Sequence, residues 1–501
     1  MHLLLDARPQ EGDPVGQVTE VSVAPRAIDR FRPIIGDEAY EQAMEVARSA
    51  AKRLAGRVIW NVNSTAMGGG VAEMLRSLLA YARGAGIDTR WVVISGPPEF
   101  FYITKRIHHA LHGSPGDGRP LDRHAREVYE AVLKSNAEEL EALIRPRDIV
   151  ILHDPQTLGL APALARHGST VIWRCHIGTE KGNGEVAAGW AFLEPYFDDI
   201  RASIFSRKEY VPERLNHRRE TIIQPSIDIF SPKNQDMDEE QVRAILAHVG
   251  LIEGPIPEAP PVFTRMDGTP GRVDRHADIV RSGRAPTWET PLVVQVSRWD
   301  TLKDHAGVMA AFCDMVCAGK AAPGAHLVLA GPNVHAVADD PEGAQVLDNL
   351  TASWRQLPHV GRAYIDLVSL PMADVEENAA IVNALQRHAT IIVQKSLYEG
   401  FGLTVTEAMW KAKPIVASRI GGIQDQIDHG VHGLLVDDPT DLDAFQAALL
   451  RLLDDPDYAH KLGHNARERV KERYLGIRHL LEYERLITRL DQEADVATPL
   501  R

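Results

Sequence analysis

The sequence predicts an α/β protein built from two doubly wound domains, and three observations carry that prediction. At 501 residues the chain is longer than a single hydrophobic core spans. Short apolar runs alternate with longer stretches of helical period, the sign of parallel sheets with helices on both faces. The alternation stops after Pro225, where residues 229–235 are polar and proline-bearing, and starts afresh at Leu292.

Residues 1–35 carry scattered Pro and Gly without a sustained period and read as an N-terminal extension. The first domain, residues 36–228, opens with helix formers at helical spacing over 37–54, ended by Gly56. Its strands are expected at 58–62, 89–94, 149–152, 170–174, 202–206 and 221–224, and its helices at 70–83, 123–143, 158–167 and 186–196. The second domain, residues 229–470, places strands at 292–296, 325–329, 363–367, 390–394, 414–417 and 433–436, with a helix over 404–411. Residues 254–290, with Pro255, Pro257, Pro260 and Pro261 among mixed charges, read as a long irregular insertion. Residues 442–490 are helical by period, and 471–501 form a helical tail.

Composition removes several function classes. With a net charge of −14 the chain repels a phosphate backbone, so nucleic acid is not an expected partner. An anion site must then be local, made of a few Arg and Lys in clefts. Cys175, Cys313 and Cys317 form neither a disulfide framework nor a zinc-ligand pattern. No apolar run is long enough to span a bilayer, and the opening residues are too short for a signal segment, so a cytoplasmic location without a membrane partner is expected. His108, His109 and His112 lack the glutamate of a zinc-protease helix and read as a solvated face. Asp339 and Asp340 fall in a loop, no Asp-x-Asp stands at a strand end, and no metal site is expected.

Open α/β sheets bind ligands at the carboxyl ends of their strands, so chemistry is sought there. Residues 395–407 place Glu399 and Glu407 either side of a turn bearing Gly400 and Gly402 that opens a helix. Amides at a helix start attract an anion, while two carboxylates accept hydrogen bonds from hydroxyls, and together these describe a sugar nucleotide. The strand at 292–296 releases Arg298 and Lys303, two cations able to neutralise a departing diphosphate. The strand at 58–62 runs into Gly68, Gly69 and Gly70, where backbone can approach a ligand closely; the G-x-G-x-x-G of nicotinamide sites is absent. Further strand ends supply His153 and Asp154, then Arg174 and His176, which either line a cleft structurally or bond a sugar hydroxyl or its proton.

These residues resemble those of retaining glycosyltransferases with the GT-B fold, relatives of glycogen synthase and sucrose synthase. Segments 63–75, 96–113, 153–156, 173–177, 338–343 and 399–411 are most similar to the trehalose glycosyltransferring synthases, over roughly residues 35–490. The resemblance implies two Rossmann-like domains facing across a cleft. It implies Arg298 and Lys303 on the donor diphosphate, Glu407 on the ribose and Glu399 on the donor sugar. The amides of Phe401, Gly402 and Leu403 would hold sugar and phosphates, and Gly69 and Gly70 would approach donor or acceptor. His153, Asp154, Arg174 and His176 would line the acceptor side. The donor implied is a nucleoside-diphosphate glucose and the partners are small sugars. No cofactor is required; magnesium and a homodimer are compatible with the resemblance without being demanded by it. Residues 1–35 and 254–290 have no counterpart in this likeness. A trehalose phosphorylase, another retaining glucosyltransferase with a small acceptor, or a sugar-nucleotide sensor are the competing readings.

Overall fold

The computed structural model describes residues 18–66, 69–215, 220–255, 257–320, 324–334 and 341–497. Gly68, Asp339 and Asp340 lie outside them. The chain divides into two compact units, one of Met1–Pro225 with Gly476–Arg501 and one of Ser226–Leu475. The last stretch therefore returns to the first unit rather than forming a separate tail.

In the first unit seven strands are β1 (Thr19–Val21), β2 (Ile59–Asn63), β3 (Thr89–Val93), β4 (Ile149–His153), β5 (Thr170–Cys175), β6 (Ala202–Phe205) and β7 (Glu220–Ile222). Their order is β1-β3-β2-β4-β5-β6-β7, parallel throughout except for β1, which closes the β3 edge antiparallel. Part of the expected extension is thus an edge strand. β2 and β4 are buried along their whole length, as strands covered on both faces must be. Val150, Leu152, Trp173 and Phe205 pack on one face with Ile103, Tyr129 and Leu133. Ile59, Ile149, Ile151, Ile172 and Ile204 pack on the other against Tyr483, Leu486, Ile487 and Leu490 of the helix Gly476–Ala497.

Most helices fall where the period places them, and Arg123–Leu143 gains an N-cap because the Asp122 carboxylate accepts the Ala125 N–H. The helix expected at 158–167 is instead two, Asp154–Leu158 and Ala161–His167. Pro162 explains the restart, since proline is accommodated in a helix's first turn but not its interior. Likewise the 186–196 helix stops at Leu193 and continues as a 3-10 turn, Glu194–Asp199, with Pro195 in its first turn.

The second unit contains β8 (Val262–Thr264), β9 (Pro270–Arg272), β10 (Asp278–Val280), β11 (Leu292–Val296), β12 (His326–Pro332), β13 (Ile365–Leu370), β14 (Ile391–Gln394), β15 (Ile415–Ser418) and β16 (Leu434–Val436). The main sheet runs β10-β13-β12-β11-β14-β15-β16. Six parallel strands are ordered 3-2-1-4-5-6, and the order reverses between β11 and β14. The expected irregular insertion at 254–290 is more structured than its prolines suggested. β8 and β9 pair as a hairpin, and β10 adds to the sheet edge antiparallel to β13. Arg275 and two amides there are held by the buried Glu377 carboxylate, a contact more than a hundred residues away in sequence.

Candidate functional site

In the second unit the strand-order reversal separates the loops that follow β11 and β14, and the residues singled out in sequence stand on both. After β11, Asp300 caps a short 3-10 turn, Thr301–Lys303, by accepting the Leu302 N–H at 2.8 Å. Gln295 Nε2 donates to the Lys303 carbonyl at 2.8 Å and fixes where that side chain starts. Lys303 Nζ then reaches Glu399 Oε2 at 2.6 Å, and the pair is largely shielded from solvent. Glu399 Oε2 also accepts from Ser396 Oγ at 3.4 Å, which leaves Oε1 directed elsewhere. Arg298 is exposed and, among the described residues, makes no ion pair.

The turn carrying Glu399 is built from close backbone contacts. Gly402 has φ +83° and precedes the helix Leu403–Trp410, which starts and ends one residue ahead of the expected 404–411. Gly421 has φ +46°, and a Cβ there would lie 1.9 Å from the Glu399 carbonyl oxygen. Gly422 N–H donates to Gly400 O at 2.9 Å, while Gln426 Nε2 donates to Phe401 O at 2.6 Å. Phe401 is itself buried. Glu407 is buried inside the same helix, 3.0 Å from Lys233 Nζ. Lys411 Nζ bonds Asn234 Oδ1 at 2.9 Å and the Glu407 carbonyl at 3.2 Å.

Sequence reasoning missed Lys233, Asn234 and Lys411 as neighbours of Glu407, and missed the pair of fully buried Lys395 with Asp304. A lysine that ends a buried apolar strand run was the available signal for Lys395, since Lys is seldom buried unpaired. Lys233 sits in the polar segment read only as a domain boundary, and nothing local connects it to Glu407.

In the first unit the alternation of side chains along β2, β4 and β5 continues the row of Ile59, Ile151 and Ile172 into Asn61, His153 and Arg174. His153 and Arg174 are fully buried, so neither forms an open wall; His176 is partly exposed. His153 Nε2 lies 3.1 Å from Asn61 Oδ1, and its Nδ1 lies 3.3 Å from His176 Nε2. Asp154 takes a left-handed φ of 62°. The loop around it is fixed because Tyr129 OH donates to Pro155 O at 2.6 Å, Trp173 Nε1 to Asp154 O at 3.1 Å and Thr157 Oγ1 to His153 O at 2.7 Å. Asp154 Oδ1 accepts the His176 N–H at 2.7 Å.

Burial raises the Asp154 carboxyl to about 7, partly offset by the His176 amide and the Arg174 guanidinium. Burial, then the Arg174 charge, pushes His153 down to about 3 and His176 well below the usual imidazole range. The guanidinium of Arg174 has no hydrogen-bond partner among the described residues, and burial lowers its pKa. Gly69 and Gly70 begin the helix Gly69–Gly84 after β2. Among the described residues, no group of three or more His, Cys, Asp or Glu is placed to hold a metal ion, and no helix is long and apolar enough to cross a membrane.

Two parallel α/β units whose strand-end loops carry these groups define a glycosyltransferase of the GT-B fold. The profile "Glycosyl transferases group 1" matches residues 375–469, and "Trehalose synthase, N-terminal domain" matches residues 61–212. A trehalose synthase of Thermococcus litoralis is 35% identical over 467 residues, 93% of this chain and 98% of that protein. The chain belongs to the trehalose synthase family. A trehalose phosphorylase of Pleurotus pulmonarius is 24% identical and matches 89% of this chain but 58% of its own length. Among solved structures, the UDP-forming α,α-trehalose-phosphate synthase of Burkholderia xenovorans, in complex with glucose-6-phosphate, superposes with a TM-score of 0.62 over 87% of this chain and all of that one, at 16% identity.

Proposed function

We propose that this protein transfers glucose from a nucleoside-diphosphate glucose to free glucose, forming trehalose with retention at the anomeric carbon, and runs reversibly. The observation that carries the reading is the Lys303–Glu399 pair at the strand-order reversal, with Arg298 on the same loop as Lys303. Lys303 and Arg298 would take the donor diphosphate, and a diphosphate would compete with Glu399 for Lys303. Glu399 would bond a donor-sugar hydroxyl, Glu407 the ribose, and the amides of Phe401, Gly402 and Leu403 the sugar and phosphates. In the first unit Gly69 and Gly70 would approach the ligand, and Asp154 and His176 would serve the acceptor, with His153 and Arg174 behind them.

In the reaction the bond from the anomeric carbon to the diphosphate breaks while the acceptor oxygen bonds the same face of that carbon. The acceptor proton passes to the departing diphosphate oxygen, so no protein nucleophile is needed. The cations act on charge that grows as the bond breaks, which is where electrostatic groups accelerate a reaction most. A divalent metal is compatible with this scheme and not demanded by it, and a cytoplasmic location suits a nucleotide-sugar donor.

Incubation with trehalose and ADP, UDP or GDP separately should yield a nucleoside-diphosphate glucose with at least one of them. The absence of any sugar nucleotide would remove the reading. The phosphorylase reading is favoured by the 24% identical relative; trehalose cleavage that depends on phosphate and not on a nucleotide would establish it instead.

A further inference from the structure

Asn61, His153 and His176 form a chain whose donors and acceptors can be assigned one after another. Asn61 Nδ2 lies 3.2 Å from Thr89 Oγ1 and 3.5 Å from the Arg90 carbonyl, which only accepts. Thr89 Oγ1 gives its own proton to the Ile59 carbonyl at 3.0 Å, so it accepts from Asn61. The amide nitrogen of Asn61 therefore faces β3, and its oxygen faces His153. That oxygen has no hydrogen, so His153 Nε2 must carry one. A neutral imidazole has a single N–H, so His153 Nδ1 accepts, and His176 Nε2 donates to it. By the same rule His176 Nδ1 carries a lone pair. It makes no hydrogen bond among the described residues.

The surroundings keep both rings neutral. Burial and the Arg174 guanidinium disfavour a second proton on His153 and on His176 alike. Asp154, the carboxyl of this cluster, spans to the His176 backbone amide and not to either ring. His479 and Tyr483, on the helix behind Arg174, are also held uncharged by burial.

We propose that Asn61, acting through His153, is the positioning residue that fixes the His176 tautomer and leaves its Nδ1 as an acceptor; the hexose hydroxyl it would take is the one the proposed function already gives to His176. The hexose part rests on the glycosyl-transfer reading; the tautomer does not. The arrangement favours a ligand group that donates a proton at that point, and it disfavours a group that can only accept.

The test is nitrogen-15 NMR of the histidine rings in the full chain at neutral pH, with His153 and His176 assigned by substituting each in turn. The expected spectrum has His176 Nδ1 in the range of unprotonated ring nitrogens and Nε2 in the protonated range. A protonated Nδ1, or two averaged nitrogens, overturns the assignment. Asn61→Leu should move both His176 signals toward averaged tautomers and lower kcat/KM about tenfold, the effect of one lost hydrogen bond. An unchanged tautomer in a folded Asn61→Leu overturns the role of Asn61. The expected tautomer in a chain with no sugar-transferring activity overturns the hexose assignment and keeps the relay; the reverse tautomer in an active enzyme overturns the relay and, with it, Nδ1 as the hydroxyl's acceptor, and leaves only the glycosyl-transfer reading.

Discussion

Asp154→Asn should make the protein more stable and less active, and the gain in stability should depend on pH. In the folded chain burial raises this carboxyl from 3.8 to about 7. The folded state then binds the proton more tightly than the unfolded one, so ionising Asp154 weakens folding progressively from about pH 4 to about pH 7. At 1.36 kcal/mol per pKa unit the full penalty above that range is about 4 kcal/mol. Asparagine has no charge to bury, retains an oxygen for the His176 N–H, and tolerates the left-handed φ of 62°. The variant should therefore exceed the parent by about 4 kcal/mol near pH 8, with the gap closing toward pH 4. His153 has the opposite slope: depressed to about 3, it contributes stability above its unfolded value near 6.5 that is lost as pH falls. The two slopes offset each other in the parent between about pH 4 and 6.5, and the variant should expose the histidine's. Urea unfolding followed by tryptophan fluorescence across this range measures both effects. A variant no more stable than the parent near pH 8, or a gap that does not change with pH, would refute the reasoning.

Arg298→Ala should lower kcat on the order of 10²–10³-fold with the fold intact, because an exposed cation whose attraction to the leaving diphosphate grows as the bond breaks is lost; near-normal turnover in a steady-state assay would contradict it. Glu399→Gln should weaken donor use by about 1.5–3 kcal/mol in kcat/KM, the value of a charged hydrogen bond; unchanged donor kinetics would remove Glu399 from the sugar. Gly421→Ala places a Cβ within 1.9 Å of the Glu399 carbonyl at a positive φ, and should abolish donor binding measured by calorimetry. Tyr129→Phe removes the donor to the Pro155 carbonyl and should lower stability by about 1 kcal/mol in the same urea assay.

The strand-end loops were legible because buried parallel strands read as apolar runs and glycines mark where they turn. Glu399 and Lys303 were found on separate motifs. Their contact depends on β11 lying beside β14, which joins residues 96 positions apart and which periodicity does not encode. His153 and His176 were legible as strand-end residues, but the enclosure of His153 was not. Asn61 on β2 and the Gly476–Ala497 helix over that face enclose it, and neither is near it in sequence. The proline breaks at 162 and 195 were in plain view, and helical period outweighed them wrongly.

The first unit is finished by a helix that leaves the ribosome only after the whole of the second unit has been made. Leu486, Ile487 and Leu490 cover a sheet whose strands were synthesised hundreds of residues earlier, while the second unit is one uninterrupted segment. During synthesis the later half can reach its native packing while the earlier half still waits with Ile59, Ile149 and Ile172 uncovered. Truncation before Gly476 would thus injure the beginning of the protein first.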